Sequence, residues 1–392
     1  MSYGQQERLF TPPPYRVVPE SSLRLMRTQL GVMLLPGAAG WMFFGYQALL
    51  AMLAGGLGAL LSELIGSKAR HLKVPGSMEH SLIMGLLVAY MLPAQTGWYV
   101  VFMGAAAAVL LGKQFFGGMG HYLWHPAIIG RVVVELFFHD QVSAPTGPLL
   151  DRAHMFFGNV NGVMEKTCDW FKVSWFSHLA SAGSSGFILP RPIEALRNFG
   201  DLQFGENGPE MGRYLLAKLP SLEHCLVGAV PGGIGETCAA ALILAGLYLV
   251  YRGYVHWQLP VSFVISALVG AMLLPILVEQ NRTQENVVIW PILAENRAVG
   301  FTYVNYQLFS GALLLGACIL ATDMTCRPIT TTGQIVFAGG AGLIAMIFRL
   351  YTPIAIPVYA AILVMNTLVP TIDRLTRPRG PRRRRKRRIR NS

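Results

Sequence analysis

Runs of apolar residues recur along this chain, and they constrain its fold more than any motif does. A helix rising 1.5 Å per residue needs ~20 such residues to cross a bilayer core of ~30 Å. Candidate spans fall at 29–45, 47–66, 80–93, 96–113, 124–138, 226–251, 258–278, 307–322, 334–350 and 353–370, divided by polar or Gly/Pro breaks. The runs do not alternate apolar with polar residues as barrel strands do, and lipid offers backbone groups no partner outside a helix or a closed sheet. Of 392 residues, 53% are hydrophobic and 13% charged, against about 25% charged in a soluble domain. The pattern predicts an all-α, polytopic integral membrane protein with about ten transmembrane helices. Stretches such as "AGGLGALL", "GAAAAVLLG" and "AGGAGLIA" supply the small residues that let such helices approach closely.

Orientation follows from the basic residues in the short connections. Lys68, Arg70, Lys73, Lys113, Arg252, Arg327 and the C-terminal tail fall on one face, which the positive-inside rule makes cytoplasmic. With an even number of spans both termini lie there. The resulting layout is a cytoplasmic N-terminal segment 1–28, a first five-helix membrane half 29–138, a long external loop 139–225, a second five-helix half 226–371 and a basic cytoplasmic tail 372–392. The first residues, "MSYGQQERLFTPPPYRVVPESS", are polar and proline-rich, unlike a cleavable signal peptide. The host membrane is then a bacterial inner membrane.

The formal charge of +12 sits almost entirely in "RLTRPRGPRRRRKRRIR", residues 374–390. Directly after a span, such a run reads as an orientation signal attracted to anionic lipid headgroups. A membrane-tethered nucleic-acid binder would rest on this tail alone, and no nucleic-acid partner is expected. The cysteines, Cys168, Cys225, Cys238, Cys318 and Cys326, form no CxxC pair, so neither a metal nor an iron–sulfur site is expected. Cys168 alone lies clearly in the external loop, which argues against an obligatory disulfide.

Charge inside the bilayer costs several kcal/mol and marks an ion path, a cofactor or a partner. Three segments carry such features. In "GGMGHYLWHPAIIGRVVVE" the glycines Gly117, Gly118 and Gly120, with His121 and His125, would let a backbone approach a ligand such as a flavin phosphate or ring; packing explains the same glycines equally well. Arg131 and Glu135 in that segment share a helical face and can neutralise each other. In "VPGGIGETCAAALILAGLYLVYRG" a proline and glycines interrupt a helix just before Glu236, as in helices that build midplane ion sites. In "FSGALLLGACILATDMTCRPITTTGQIVF" Asp323 follows a short span, either as a second ion-path carboxylate or as an interfacial cap.

These blocks, together with "MRTQLGVMLLPGAAGWMFFGYQALL", "LGKQFFGGMGHYLWHPAIIGR" and "YAAILVMNTLVPTIDR", resemble the RnfD/NqrB family of membrane subunits in order and spacing over most of residues 20–378. The short segment before the first span looks more like RnfD. The resemblance implies a subunit of an ion-translocating electron-transport complex of the Rnf or Nqr type. Such a subunit passes electrons through flavin and couples that transfer to Na⁺ or H⁺ movement. It implies FMN as cofactor, with riboflavin as a further candidate, and other complex subunits as partners. The chain has no nucleotide-binding glycine pattern of its own, so oxidation of the soluble donor belongs to those partners. A non-redox transporter or channel on the same scaffold, without covalent flavin, is the alternative.

In the family, a threonine within Asp-x-x-Ser/Thr-Gly-Ala-Thr carries FMN through a phosphoester. Here "DQVSAPT" keeps Asp140, Ser143 and Thr146 but has Ala144 and Pro145 in place of glycine and alanine. It also lies only a few residues after the fifth span, where an ordinary turn is equally well described. The segment in the family's usual place is "SAGSSGFILPRPIEALRNFG". There Ser185 and Gly186 match the start of the pattern, and Ile188, which has no hydroxyl, occupies the acceptor position. Either the tether has moved to Thr146, or covalent FMN is lost and the scaffold is kept. Register over the longer block favours loss.

Overall fold

The computed structural model describes residues 22–70, 76–143, 192–193, 196, 204–205, 208–209, 211–212, 215, 219–228, 230–279, 286–291 and 297–377. Thr146, Ser185, Gly186, Ile188 and the arginine run from residue 378 lie outside them.

The described chain is mostly helical. The first helices are α1 (Ser22–Phe44), α2 (Tyr46–Arg70), α3 (Ser77–Tyr90), α4 (Trp98–Ala107), continued by a π-helical turn Ala108–Gln114, α5 (Pro126–Phe137) and the short α6 (His139–Ser143). After the large connection come α7 (Leu222–Val227), α8 (Ala239–Tyr251), α9 (Gln258–Leu273), α10 (Arg297–Phe309), α11 (Leu313–Leu315) with a second π-helical turn Gly316–Leu320, α12 (Thr331–Tyr351) and α13 (Pro357–Thr376). The apolar runs of the sequence overlap these helices, though not one helix to each run. Local chemistry sets several ends: Pro126 and Pro357 open α5 and α13 at positions where a missing N–H costs nothing. The Thr330 hydroxyl caps α12 by accepting the Gly333 N–H at 3.1 Å.

Three runs depart from the expected continuous helix, 307–322 by breaking between α10 and α11. Residues 226–251 divide into α7 and α8, because Pro231 and the glycines after it hold an irregular segment between them. That segment lies along the end of α3, with Ile234 N–H donating to Leu92 O at 3.0 Å and Gly235 N–H to Tyr90 O at 3.1 Å. A Cβ on Gly233 would lie 2.7 Å from Tyr90 O, so the approach demands glycine. Residues 258–278 stop being helical ahead of Pro275. Strand β3 (Ile276–Glu279) there pairs antiparallel with β4 (Asn286–Ile289); with β1 (Phe204–Gly205) and β2 (Gly208–Pro209) these are two small hairpins among the described residues that the all-α expectation did not include.

The burial pattern is that of a membrane bundle. On α2 the residues turned inward are small, Ala48, Ala51, Gly55, Gly58 and Ala59 among them. Leu50, Leu53, Leu57, Leu61 and Leu64 form an exposed stripe on the opposite side. In water that stripe would be an uncovered apolar patch; against lipid it is the expected outside of the molecule. On α9, Val261, Ile265, Val269 and Leu273 repeat the arrangement. By length and composition α2, α12 and α13 can each cross a membrane; α10 and α11 with its π turn, bent by 59°, are together apolar enough to be a fourth span or a re-entrant loop. Helix α2 packs on α3 and α4, and α4 on α5; further along the chain α9 packs on α12, and α12 on α13. Helix α1 packs against α8, and one apolar core runs through both groups.

Candidate functional site

Two buried polar centres interrupt that core. The first lies where the irregular segment 230–238 meets the ends of α3, α12 and α13. Tyr359, at the start of α13, donates its hydroxyl to Glu236 Oε1. Arg349 on α12 is buried and sends Nη1 to Gln307 O at 2.5 Å and to Gln307 Oε1 at 3.0 Å, and Nη2 to Ser310 O at 3.0 Å. These carbonyls are exposed by the bend between α10 and α11, where Gly311 adopts φ +68°. The arginine fork therefore replaces the helical hydrogen bonds that the bend removes. Arg131 on α5 reaches Met91 O at 3.2 Å and Glu135 Oε2 at 2.5 Å, and His139 Nδ1 meets Glu135 Oε1 at 2.8 Å. The expected Arg131–Glu135 pairing is thus present. Arg131, Glu236, Arg349 and Tyr359 line one cavity of about 50 Å³.

The second centre lies toward the end of the bundle that carries Lys68, Arg70 and Arg327. Lys113, in the first π turn, places Nζ 3.0 Å from Glu63 Oε2 and 2.7 Å from Ser81 Oγ. Glu63 also accepts from Ser81 at 2.9 Å, from Gln114 Nε2 at 2.6 Å and from Ser77. Beside Ser81, His80 Nε2 lies 2.8 Å from the Tyr122 oxygen. Thr325 Oγ1 lies 2.6 Å from that oxygen and 2.7 Å from Asp323 Oδ2, and His125 Nε2 lies 3.8 Å from the same Asp323 oxygen. Each π turn thus leads into a turn that feeds this centre, in keeping with the frequent siting of π segments at functional positions.

Among the residues singled out in the sequence, the structure brings His125 and Asp323 together and keeps Glu236 apart in the first centre. Asp323 is buried, in the turn that follows the second π segment. Gly117, Gly118 and Gly120 have φ of +114°, +102° and +87°; the turn itself requires them. His121 is exposed in that turn, with Nδ1 3.3 Å from Met119 O. Glu63 and Arg349 were missed, although each is a charge inside an apolar run and was legible as such; Lys113, read only as a basic residue of a connection, is instead fully buried in the first π turn. His80, Tyr122 and Tyr359 gave no comparable signal. Cys225, Cys238, Cys318 and Cys326 are buried free thiols. Among the described residues no group of three or more His, Cys, Asp or Glu side chains is arranged to hold a metal ion.

The flavin implied by the resemblance does not fit the first centre. A cavity of about 50 Å³ admits water molecules, whereas cofactor pockets measure roughly 300–1,000 Å³. Thr146 lies outside the described residues.

Comparison with known proteins bears on both centres. The RnfD-type protein of the ion-translocating oxidoreductase complex of Cronobacter sakazakii is 29% identical over 357 residues, spanning 88% of this chain and 90% of that protein. Its counterpart of the same name from Escherichia coli K12 is 27% identical over 355 residues, with 88% and 90% covered. The model of the NQR2, RnfD, RnfE family matches residues 10–381. A match of that extent includes every helix and both polar centres, and the chain belongs to the NQR2, RnfD, RnfE family.

Proposed function

We propose that this chain is a membrane subunit of an ion-translocating electron-transport complex of the Rnf type, acting with other subunits rather than alone. The observation that carries the reading is the pair of buried polar centres in a largely apolar bundle, within a chain aligned to RnfD-type relatives over most of its length. Buried charge at these depths is costly and is kept where ions or electrons pass. Glu236 and Asp323 are the ion-path carboxylates, one in each centre. Arg131 follows His125 by six residues on α5, so the centres are offset by about 9 Å along that helix. The transported ion is Na⁺ or H⁺.

Ten crossings, in two halves of five flanking an external segment 139–225, account for the apolar runs. They place both termini and the basic tail on the cytoplasmic side of a bacterial inner membrane, against anionic lipid. FMN, whose isoalloxazine supplies one- and two-electron redox chemistry when bound, belongs with the external segment rather than the buried cavity. Thr146 is the hydroxyl there with the spacing of the attachment pattern, and riboflavin is a second candidate. A scaffold that has lost covalent flavin is favoured by Ile188 at the in-register position.

The test is affinity purification of the tagged chain from its native membrane, followed by identification of co-purifying subunits and intact-mass measurement after denaturation. Co-purifying redox subunits are expected. A chain recovered alone, without flavin absorbance, would make it a non-redox transporter on the same scaffold. An FMN-sized adduct on the peptide containing Thr146 would establish the moved tether; an unmodified peptide from cells that flavinylate other subunits would establish loss.

A further inference from the structure

The second centre contains a hydrogen-bonded chain that neither packing nor ion pairing explains. It runs from His80 on α3 through Tyr122, in the turn before α5, to Thr325 and Asp323, in the turn after the second π segment. Its links measure 2.8, 2.6 and 2.7 Å. Both π segments therefore border it. His80 is 1%, Tyr122 4%, His125 1% and Asp323 6% exposed, so bulk water does not compete for these bonds. Polar groups buried to this degree are almost always partnered. Yet His80 Nδ1 and both ring nitrogens of His125 have no hydrogen-bond partner among the described residues. The Trp124 indole donates to Thr367 Oγ1 at 3.0 Å, tying the same turn to α13. Next to Thr367, Asn366 is fully buried, with neither amide atom hydrogen-bonded among the described residues.

We propose that His80, Tyr122, Thr325 and Asp323 form a proton-carrying site, in which one proton moves between the Asp323 carboxyl and His80 through the two hydroxyls. In one state Asp323 is protonated and donates to Thr325 Oγ1, Thr325 donates to the Tyr122 oxygen, and Tyr122 donates to His80 Nε2. A concerted shift breaks the O–H bond on Asp323 and forms an N–H bond on His80, each hydroxyl releasing one proton and accepting one. The end state is an Asp323 carboxylate and a His80 imidazolium, with both hydroxyls restored and their bonds reversed. The step needs no further reactant. Serine, threonine and tyrosine hydroxyls both donate and accept, which is what such a reversal requires.

The surroundings suit a transient charge. His80 is faced by Glu63 of α2, Lys113 of the first π turn, His125 of α5 and Asp323. Glu63 and Lys113 largely cancel as a pair at 3.0 Å. Asp323 is faced by both histidines, Tyr122, Cys326 and Arg327. A hard cation such as Na⁺ takes oxygen ligands, so two imidazoles beside one carboxylate fit a proton better than a sodium ion. The site deepens the proposed ion-path role of Asp323 and rests on it for direction, but its test requires no turnover.

The test is infrared difference spectroscopy of the purified complex stepped through pH, in H₂O and D₂O, with and without Na⁺. A carboxylic-acid carbonyl band is expected to grow on acidification, shift down in D₂O and vanish in Asp323→Asn. H80Q and Y122F, which preserve most of the buried volume, are expected to move its midpoint by about one pH unit, a tenfold change in proton affinity. H224Q, on α7, is expected to leave it in place. A band that persists in Asp323→Asn, or a midpoint unmoved in both H80Q and Y122F, would overturn the proposal. A band moved by Na⁺ but by neither variant would make Asp323 a cation ligand instead. If flavin or partner subunits prove absent, the band is still expected, which separates this inference from the redox reading.

Discussion

Lys113 Nζ lies 3.0 Å from Glu63 Oε2, and neither side chain reaches solvent. Removing one partner strands a charge in an apolar bundle, a change that costs about 3–5 kcal/mol at buried pairs. K113M and E63Q are each expected to lower the melting temperature of the detergent-solubilised complex, or to prevent its accumulation. The double replacement by methionine and leucine is expected to recover much of the loss, because apolar residues of similar volume often substitute for a buried pair without penalty. Equal destabilisation by single and double variants would instead assign the effect to the hydrogen bonds of Ser77, Ser81 and Gln114.

Helix α2 meets α3 through Gly55 and Gly85, and a Cβ on Gly55 would lie 2.6 Å from the Gly85 carbonyl oxygen. The obstacle is backbone, which cannot swing aside. Gly55→Ala is expected to force the helices apart at an overpacking cost of about 1–3 kcal/mol, and Gly55→Val to cost more. Gly31 on α1 is the contrast, since its added Cβ would meet nothing within 4 Å. Gly31→Ala is expected to be neutral, or stabilising by up to ~1 kcal/mol through helix propensity. Thermal melts of the purified variants, compared with their yield in the membrane fraction, check both.

The helical character was legible because apolar length is a one-dimensional property, although the runs 226–251, 258–278 and 307–322 do not each make one continuous helix. The break before Glu236 was legible for a similar reason, since Pro231 and its glycines interrupt a pattern at a visible point. What joins distant segments was not. Asp323 reads as a helix-end cap until Thr325 and Tyr122 are seen to connect it to His80, more than two hundred residues earlier. The glycines at 117, 118 and 120 suggested either a ligand or local packing, and their positive φ values are what the turn requires. Arg349 marks the limit from the other side: a charge in an apolar run announces a polar centre, but its partners Gln307 and Ser310 follow only from the bend in a helix that reads as continuous.

Arg349 is expected to hold that bend. Its fork satisfies Gln307 O and Ser310 O, and a buried polar group left unpaired costs about 1–3 kcal/mol. Arg349→Met orphans both carbonyls. Arg349→Lys keeps the charge but has no planar fork to reach two acceptors, so it is expected to behave nearer to methionine than to wild type. Hydrogen exchange resolves the case: amides of residues 305–316 are expected to lose protection in both variants while those of α2 do not. Protection retained in Arg349→Lys would mean that charge rather than geometry secures the bend.

Glu236 and Tyr359 separate charge from orientation at the first centre. Glu236→Gln keeps the shape of the side chain and an acceptor for the Tyr359 hydroxyl but removes the charge. If Glu236 carries the ion, reconstituted vesicles containing E236Q are expected to lose redox-driven ion uptake while electron transfer continues uncoupled. Tyr359→Phe keeps the charge and releases Oε1 from its donor. A hydrogen bond to a charged group contributes about 1.5–3 kcal/mol, so loss of that orientation is expected to raise the half-saturating ion concentration by roughly tenfold or more with little change in the maximal rate. Wild-type uptake in E236Q would remove Glu236 from the ion path and leave it as an anchor for the broken helix. A Tyr359→Phe variant that lowers only the maximal rate would place the hydroxyl in the movement of the ion rather than in its binding.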